Sequence, residues 1–317
     1  MVTPPQIPDW LRALYPFTPR SFITSRGARM SYLDEGPRTQ EAVLMLHGNP
    51  TWSFYYRELV AAVAPSLRCV VPDHIGMGLS EKPQDYPYTL ATRIEDVAAL
   101  VSSLGLRKIH LVVHDWGGAI GFGFAAKHPE LIGRIVILNT AAFPSPHIPM
   151  RIALCRTKFP GTPLVRGLNG FAGPAVHMSM SRRKLNTDER RGFLVPYHSW
   201  ADRVAVDAFV KDIPMSAGHP SWLALVAAEA GLKNFCDQPA LIVWGGRDFC
   251  FHDWYFTEWK RRLPLAQFHY LADVGHYVLA DASAEVVPMI KNFLCNGSHS
   301  WANRANESGG PAGEHRR

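Results

Sequence analysis

The chain is expected to fold as an α/β protein, with a mostly parallel central sheet flanked by helices and a helical cap laid over it. Three observations predict this. Short, β-branched-rich apolar runs alternate with longer segments of helical spacing, the pattern of a parallel sheet covered on both faces. Turn residues bound most of those runs. One long central stretch, from Pro144 to about Gly231, loses the strand signal altogether. Size and composition fit a large core. The 317 residues are 47% hydrophobic and 19% charged, which excludes a mainly disordered chain. A chain of this length buries about 75% of its unfolded surface on folding.

Taken in order, Ser21–Thr24 and Arg29–Leu33 flank Arg26-Gly27 and read as an antiparallel hairpin. Six runs then read as buried strands, being too short for helices: residues 42–48, 68–73, 108–115, 134–139, 240–245 and 267–273. Helices are expected over 52–64, 89–104 and 117–128. In the second of these Ile94, Val97, Leu100 and Val101 recur at helical spacing. The stretch 144–231 is patchily helical and far exceeds ordinary loop lengths. Inserted between two strands, it would lie over the carboxyl ends of the sheet, where such sheets bind ligands. The expected organisation is a core in two parts (1–143 and 232–295), a cap (144–231), and a polar, Gly-rich tail (296–317) read as disordered.

The formal charge is +6. The excess is concentrated between Arg151 and Arg191, where nine Lys/Arg face only Asp188 and Glu189. No zinc-finger spacing or aromatic-basic RNA motif accompanies it, so it reads as a solvated surface and no nucleic-acid partner is expected. The five cysteines are odd in number and hold no CxxC pair, so neither a disulfide framework nor a metal site is expected. No GxGxxG opens a helix after a strand, and no cofactor is expected. With no apolar h-region or long apolar run, the expected location is the cytoplasm.

The chemistry begins at Val113-His114-Asp115-Trp116-Gly117-Gly118, where a strand ends and a helix starts. Small residues around a central polar one at such a turn form a nucleophile elbow. The usual serine is replaced by Asp115. Asp248 follows the strand at 240–245, and His276 follows the strand at 267–273. The chain order is thus nucleophile, acid, histidine, with every member just beyond a strand. Asp248 would orient His276. After the strand at 42–48, His47-Gly48-Asn49-Pro50 supplies an oxyanion-hole loop. A carboxylate nucleophile directs the chemistry to saturated carbon. Displacement leaves an ester, which water deprotonated by His276 can hydrolyse, whereas serine would leave a stable ether. Asn49 and Trp116 carry uncharged N–H donors suited to a departing halide. Tyr197 is the single tyrosine between Pro144 and Gly231, which argues against an epoxide hydrolase with two cap tyrosines.

HGNPTWSFYYR (47–57), PDHIGMGLSEKP (72–83), VHDWGG (113–118) and the stretch 246–279 resemble the haloalkane dehalogenase family of α/β-hydrolases over roughly residues 10–295. The resemblance implies Asp115 as nucleophile, His276 as base, Asp248 as acid, and Asn49 with Trp116 as the halide pair. Where some members carry the acid after the strand at 134–139, this chain has Asn139. The pattern looks like the third subfamily, whose members tend to form large oligomers. The partners expected are therefore a small apolar substrate and further copies of the chain, with peripheral membrane or multi-enzyme association left open. The β-lactone decarboxylases of olefin biosynthesis share the same five residues, and PDHIGMGLS, LNTAAFP (138–144) and DIPMS (212–216) look at least as close to that branch. Hydrolytic dehalogenation is placed first because it uses Asn49 and Trp116 directly. Lactone decarboxylation is the alternative, ahead of epoxide hydrolysis or a non-catalytic scaffold.

Overall fold

A computed structural model describes residues 7–296. The tail expected from residue 296 onward therefore lies, apart from its first residue, outside the described residues. Eight strands form one sheet in the order β1-β2-β4-β3-β5-β6-β7-β8. They are β1 (Arg20–Ile23), β2 (Arg29–Glu35), β3 (Glu41–Leu46), β4 (Arg68–Pro72), β5 (Lys108–Asp115), β6 (Ile132–Thr140), β7 (Ala240–Gly245) and β8 (Gln267–Leu271). The β1–β2 hairpin and the β2–β4 pair are antiparallel, and all later pairs are parallel. The sheet is that read from the apolar runs, with ends shifted by one or two residues, as hydrogen bonding rather than hydrophobicity sets where pairing stops.

Between β3 and β6 lie helices α1 (Arg57–Val63), α2 (Leu90–Ser103) and α3 (Trp116–Lys127). The first begins later than its apolar pattern, because Ser53–Tyr56 forms a 3-10 turn. Thr89 caps α2, its hydroxyl accepting from the Thr92 amide at 3.3 Å. After β6 come α4 (Met150–Cys155), α5 (Ala172–Met178), α6 (Thr187–Leu194), α7 (Val204–Lys211) and α8 (Trp222–Gly231). A capping box closes the start of α6 through Asn186 and Glu189. The last of the five, α8, runs against α3, so closely that a Cβ on Gly231 would meet Ala126. The sequence reading names none of the final helices, α9 (Asp253–Arg262), α10 (Val278–Asp281) and α11 (Ser283–Asn296), although Val286, Val287, Ile290, Phe293 and Leu294 of α11 are buried at helical spacing.

Two apolar clusters, one on each face, sandwich the sheet. Val113, Ile120, Phe122 and Trp259 belong to one, Val112, Trp52, Leu59 and Ile290 to the other. Alternate residues of β5 serve opposite clusters, as period-two strand geometry requires. Among the described residues no helix is long and apolar enough to cross a membrane.

Candidate active site

The five sequence-derived site residues come together at the carboxyl ends of the parallel strands. Asp115 is the last residue of β5 and has φ 51° and ψ −127°. A non-glycine residue in that region is strained by about 1–3 kcal/mol, and the turn holds it only because both sides approach closely. A Cβ on Gly117 would lie 1.9 Å from the Leu46 carbonyl oxygen. One on Gly48 would lie 1.9 Å from Asp115 Oδ1. The Thr140 hydroxyl donates to the Asp115 carbonyl and fixes the turn from β6.

The Asn49 backbone N–H donates to Asp115 Oδ1 at 2.7 Å, and the Trp116 amide also holds the carboxylate. These are the two amides expected of an oxyanion hole. The Asn49 side chain donates to the Val206 carbonyl of α7 at 3.1 Å, which leaves its second N–H for a ligand. Trp116 lies half-buried on the cavity wall, edge-on to Phe209 with ring centroids 5.5 Å apart. The Arg93 guanidinium sits 3.6 Å from the Phe209 centroid and 5.3 Å from that of Trp116.

His276 Nε2 faces Asp115 Oδ2 at 3.6 Å, and its Nδ1 donates to Asp248 Oδ2 at 2.7 Å. Asp248 Oδ1 accepts the Cys250 and Phe251 amides at 2.6 and 3.0 Å. Burial raises the Asp115 carboxyl above its ordinary range, against the opposing pull of His276 and the two amides. Burial lowers the His276 imidazole, but the Asp248 charge and hydrogen bond, then Asp115, outweigh it and leave the group raised.

Two partners of the triad had no signal in the sequence. Asn139 was read only as the lack of an acid after β6. Its Nδ2 donates to Asp248 Oδ2 and to the Gly245 carbonyl, both at 3.0 Å, and its Oδ1 accepts the Gly245 amide at 2.7 Å. It therefore clamps β7 and positions Asp248. His114, beside the nucleophile, stacks on Tyr55 at 4.4 Å and donates from Nε2 to the His276 carbonyl at 2.9 Å. Burial keeps it neutral. These hydrogen bonds join positions more than 100 apart in the chain and have no local pattern.

The carboxylate opens into a cavity of about 400 Å3, within the usual range of small-molecule sites. Side chains from residues 144–231 form most of its wall, including the apolar Ile152, Leu164, Phe171, Met178 and Ile213. Tyr255 is the single tyrosine among its lining residues, and its hydroxyl donates to the His147 carbonyl at 3.2 Å. Tyr197 is buried away from the cavity, its hydroxyl beside Gly78 and Met77. No second phenol lines the cavity among the described residues.

A parallel sheet with an Asp-bearing elbow, an acid and a histidine at the ends of β5, β7 and β8 defines a hydrolase-type enzyme scaffold. The alpha/beta hydrolase fold family model matches residues 41–283, and the chain belongs to that family. It is 45% identical over 290 residues to a cis-3-alkyl-4-alkyloxetan-2-one decarboxylase of Shewanella oneidensis, covering 90% of each chain. It is 30% identical over 252 residues to haloalkane dehalogenase 2 of Mycobacterium tuberculosis, covering 75% of this chain and 81% of the relative. Among solved structures it superposes on haloalkane dehalogenase DbeA of Bradyrhizobium elkani with a TM-score of 0.79 at 25% identity, over 88% of this chain and 97% of that one. Relatives of both kinds are enzymes. The order in which the sequence placed the two activities is reversed by these identities. The order rests on similarity along the whole chain.

Proposed function

We propose that this enzyme converts cis-3,4-dialkyl oxetan-2-ones into cis-alkenes and CO2. The observation that carries the reading is the 45% identity to an oxetan-2-one decarboxylase across 90% of both chains. Residues 144–231 act as the cap, inserted between core segments 1–143 and 232–295, and build the apolar wall that receives the two alkyl groups.

The geometry supports an economical route. Asp115 Oδ2, free of the Asn49 amide that holds Oδ1, attacks ring carbon C4 from the face opposite the ring oxygen. The Oδ–C4 bond forms as the C4–O bond breaks, and the electron pair leaves on the lactone oxygen as a carboxylate. That carboxylate departs as CO2. The C2–C3 electron pair becomes the C3=C4 π bond while the C4–Oδ bond breaks and restores the Asp115 carboxylate. Inversion at C4 followed by anti elimination preserves the cis relation of the alkyl groups. Water takes no part. His276, raised by Asp248 and Asp115, serves as a cation beside the departing carboxylate rather than as a base. The side chains of Asn49 and Trp116 supply uncharged donors to the same charge.

Haloalkane hydrolysis is the second reading, favoured by the same donors and by the 30% identical dehalogenase. The test incubates the enzyme with a cis-dialkyl β-lactone and, separately, with 1-bromoalkanes in H2(18)O. Decarboxylation yields alkene and leaves the Asp115 peptide unlabelled, because elimination regenerates the carboxylate. Hydrolysis of an alkyl ester releases bromide and places 18O in Asp115. Bromide release with labelling, and no alkene from the lactone, overturns the proposal.

A further inference from the structure

The cap carries a surface that the chemistry at Asp115 leaves unused. From Pro144 through Asn186 the chain holds seven Lys/Arg and no Asp or Glu. Arg182 and Arg183 of this set are taken up by Asp273, Glu285 and Glu189. Arg151, Arg156 and Arg166 meet only Met178 Sδ, the Ile213 carbonyl, the Trp200 carbonyl and Gln84. No carboxylate pairs with these three or with Lys158 among the described residues.

Large apolar side chains stand among these charges. Met150, Phe159 and Leu168 are 86%, 81% and 80% exposed, with Leu154 and Trp200 half-exposed beside them. They belong to one lobe. Met150 and Leu154 share a face of α4 at i, i+4 spacing. The turn after α4 folds back so that Gly161 abuts the Leu154 and Cys155 carbonyls. Trp200 stacks under Arg166 and touches Gly167. Leu154 and Arg151 also line the cavity, so the lobe forms the rim of the passage to Asp115.

We propose that this lobe docks the enzyme on an anionic lipid bilayer. Isolated exposed apolar residues need no explanation, but a cluster set among unpaired cations has the composition of an interfacial anchor. Long basic side chains reach headgroups while the apolar ones enter the acyl boundary. The charge complementarity selects the occupant. A second copy of the chain would bring like charges face to face, whereas anionic headgroups neutralise them. Docked in this way, the cavity mouth faces the phase in which an apolar substrate and a hydrocarbon product dissolve.

The test uses the full chain without substrate, so its outcome is independent of which reaction the site performs. The protein is sedimented with vesicles of phosphatidylcholine alone and of equal parts phosphatidylcholine and phosphatidylglycerol. Binding is expected on the second only, and is expected to fall when salt is raised from about 0.1 to about 1 M, which shortens the screening length. Each basic residue at such a surface strengthens binding about fivefold. Lys158→Glu removes one cation and adds an opposed charge, and is expected to weaken binding by more than tenfold. Phe159→Asp with Leu168→Asp is expected to abolish binding, with an unchanged melting temperature. No binding to the anionic vesicles, or binding that these variants leave intact, overturns the proposal. It is equally overturned if the wild type is a homo-oligomer that Phe159→Asp dissociates, which makes the lobe a contact between copies.

Discussion

Trp116→Phe separates the two reactions that the site could perform. The substitution removes the indole N–H and keeps an aromatic ring. The ring contacts of Trp116 are the edge-on packing against Phe209 at 5.5 Å and the Arg93 guanidinium at 5.3 Å, and a phenyl ring can retain both. What is lost is one donor toward the departing charge. A halide is met at carbon displacement by the donors of Asn49 and Trp116. One donor aimed at transition-state charge in a dry site contributes roughly 3 kcal/mol, about two orders of magnitude in rate. The lactone's departing group is a carboxylate, whose charge is spread over two oxygens that can each accept other donors. Loss of one donor among several is then closer to an ordinary hydrogen bond, about 1 kcal/mol or roughly fivefold. The assay measures alkene from a cis-dialkyl β-lactone by gas chromatography and bromide from a 1-bromoalkane on the same preparation. The expected result is a large loss on bromide release, where it can be measured, and a small loss on alkene formation. The ratio cancels general damage to the pocket. Equal losses on both substrates would refute the reasoning and reduce Trp116 to a piece of wall.

Asp115→Ala is expected to abolish turnover with an unchanged circular dichroism spectrum; retention of more than a few per cent of the rate removes Asp115 as the nucleophile. His276→Gln is expected to accumulate an alkyl ester on the Asp115 peptide with a bromoalkane but not with the lactone, since only the first route needs activated water; mass spectrometry decides. Gly48→Ala places a methyl 1.9 Å from Asp115 Oδ1, and is expected to cost more than about a hundredfold in rate through misplacement of the nucleophile, so near-normal activity contradicts the close approach. His276 has a pKa raised above its unfolded value of about 6.5. Its imidazolium therefore stabilises the fold fully below that value, and the contribution is lost as pH rises through the folded one. Melting temperatures across this window should fall with rising pH in the wild type and fall less in Asp248→Asn, which removes the main raising charge; parallel curves would argue against the ion pair.

The sequence by itself determined the parallel sheet, its hairpin edge and the elbow, because these depend on local pattern. The apolar run 108–115 must pair on both sides to be buried, and Gly117-Gly118 permit the sharp turn after Asp115. Strand ends also placed Asp248 and His276 on the same side of the sheet, since parallel strands all finish on one edge. Helix α11 buries Val286, Val287, Ile290, Phe293 and Leu294 at the spacing of one helical face, so its period is legible in the sequence although the reading names only the three earlier helices. The clamp made by Asn139 and the support of His276 by His114 were decided only by tertiary structure. Each is a hydrogen bond between segments that the sheet brings together across 106 to 162 positions, and a single side chain's identity does not disclose its distant partner. The cavity wall was decided in the same way: Ile152, Leu164, Phe171, Met178 and Ile213 lie far apart in the chain and come to line one space with Asp115 only once it is folded.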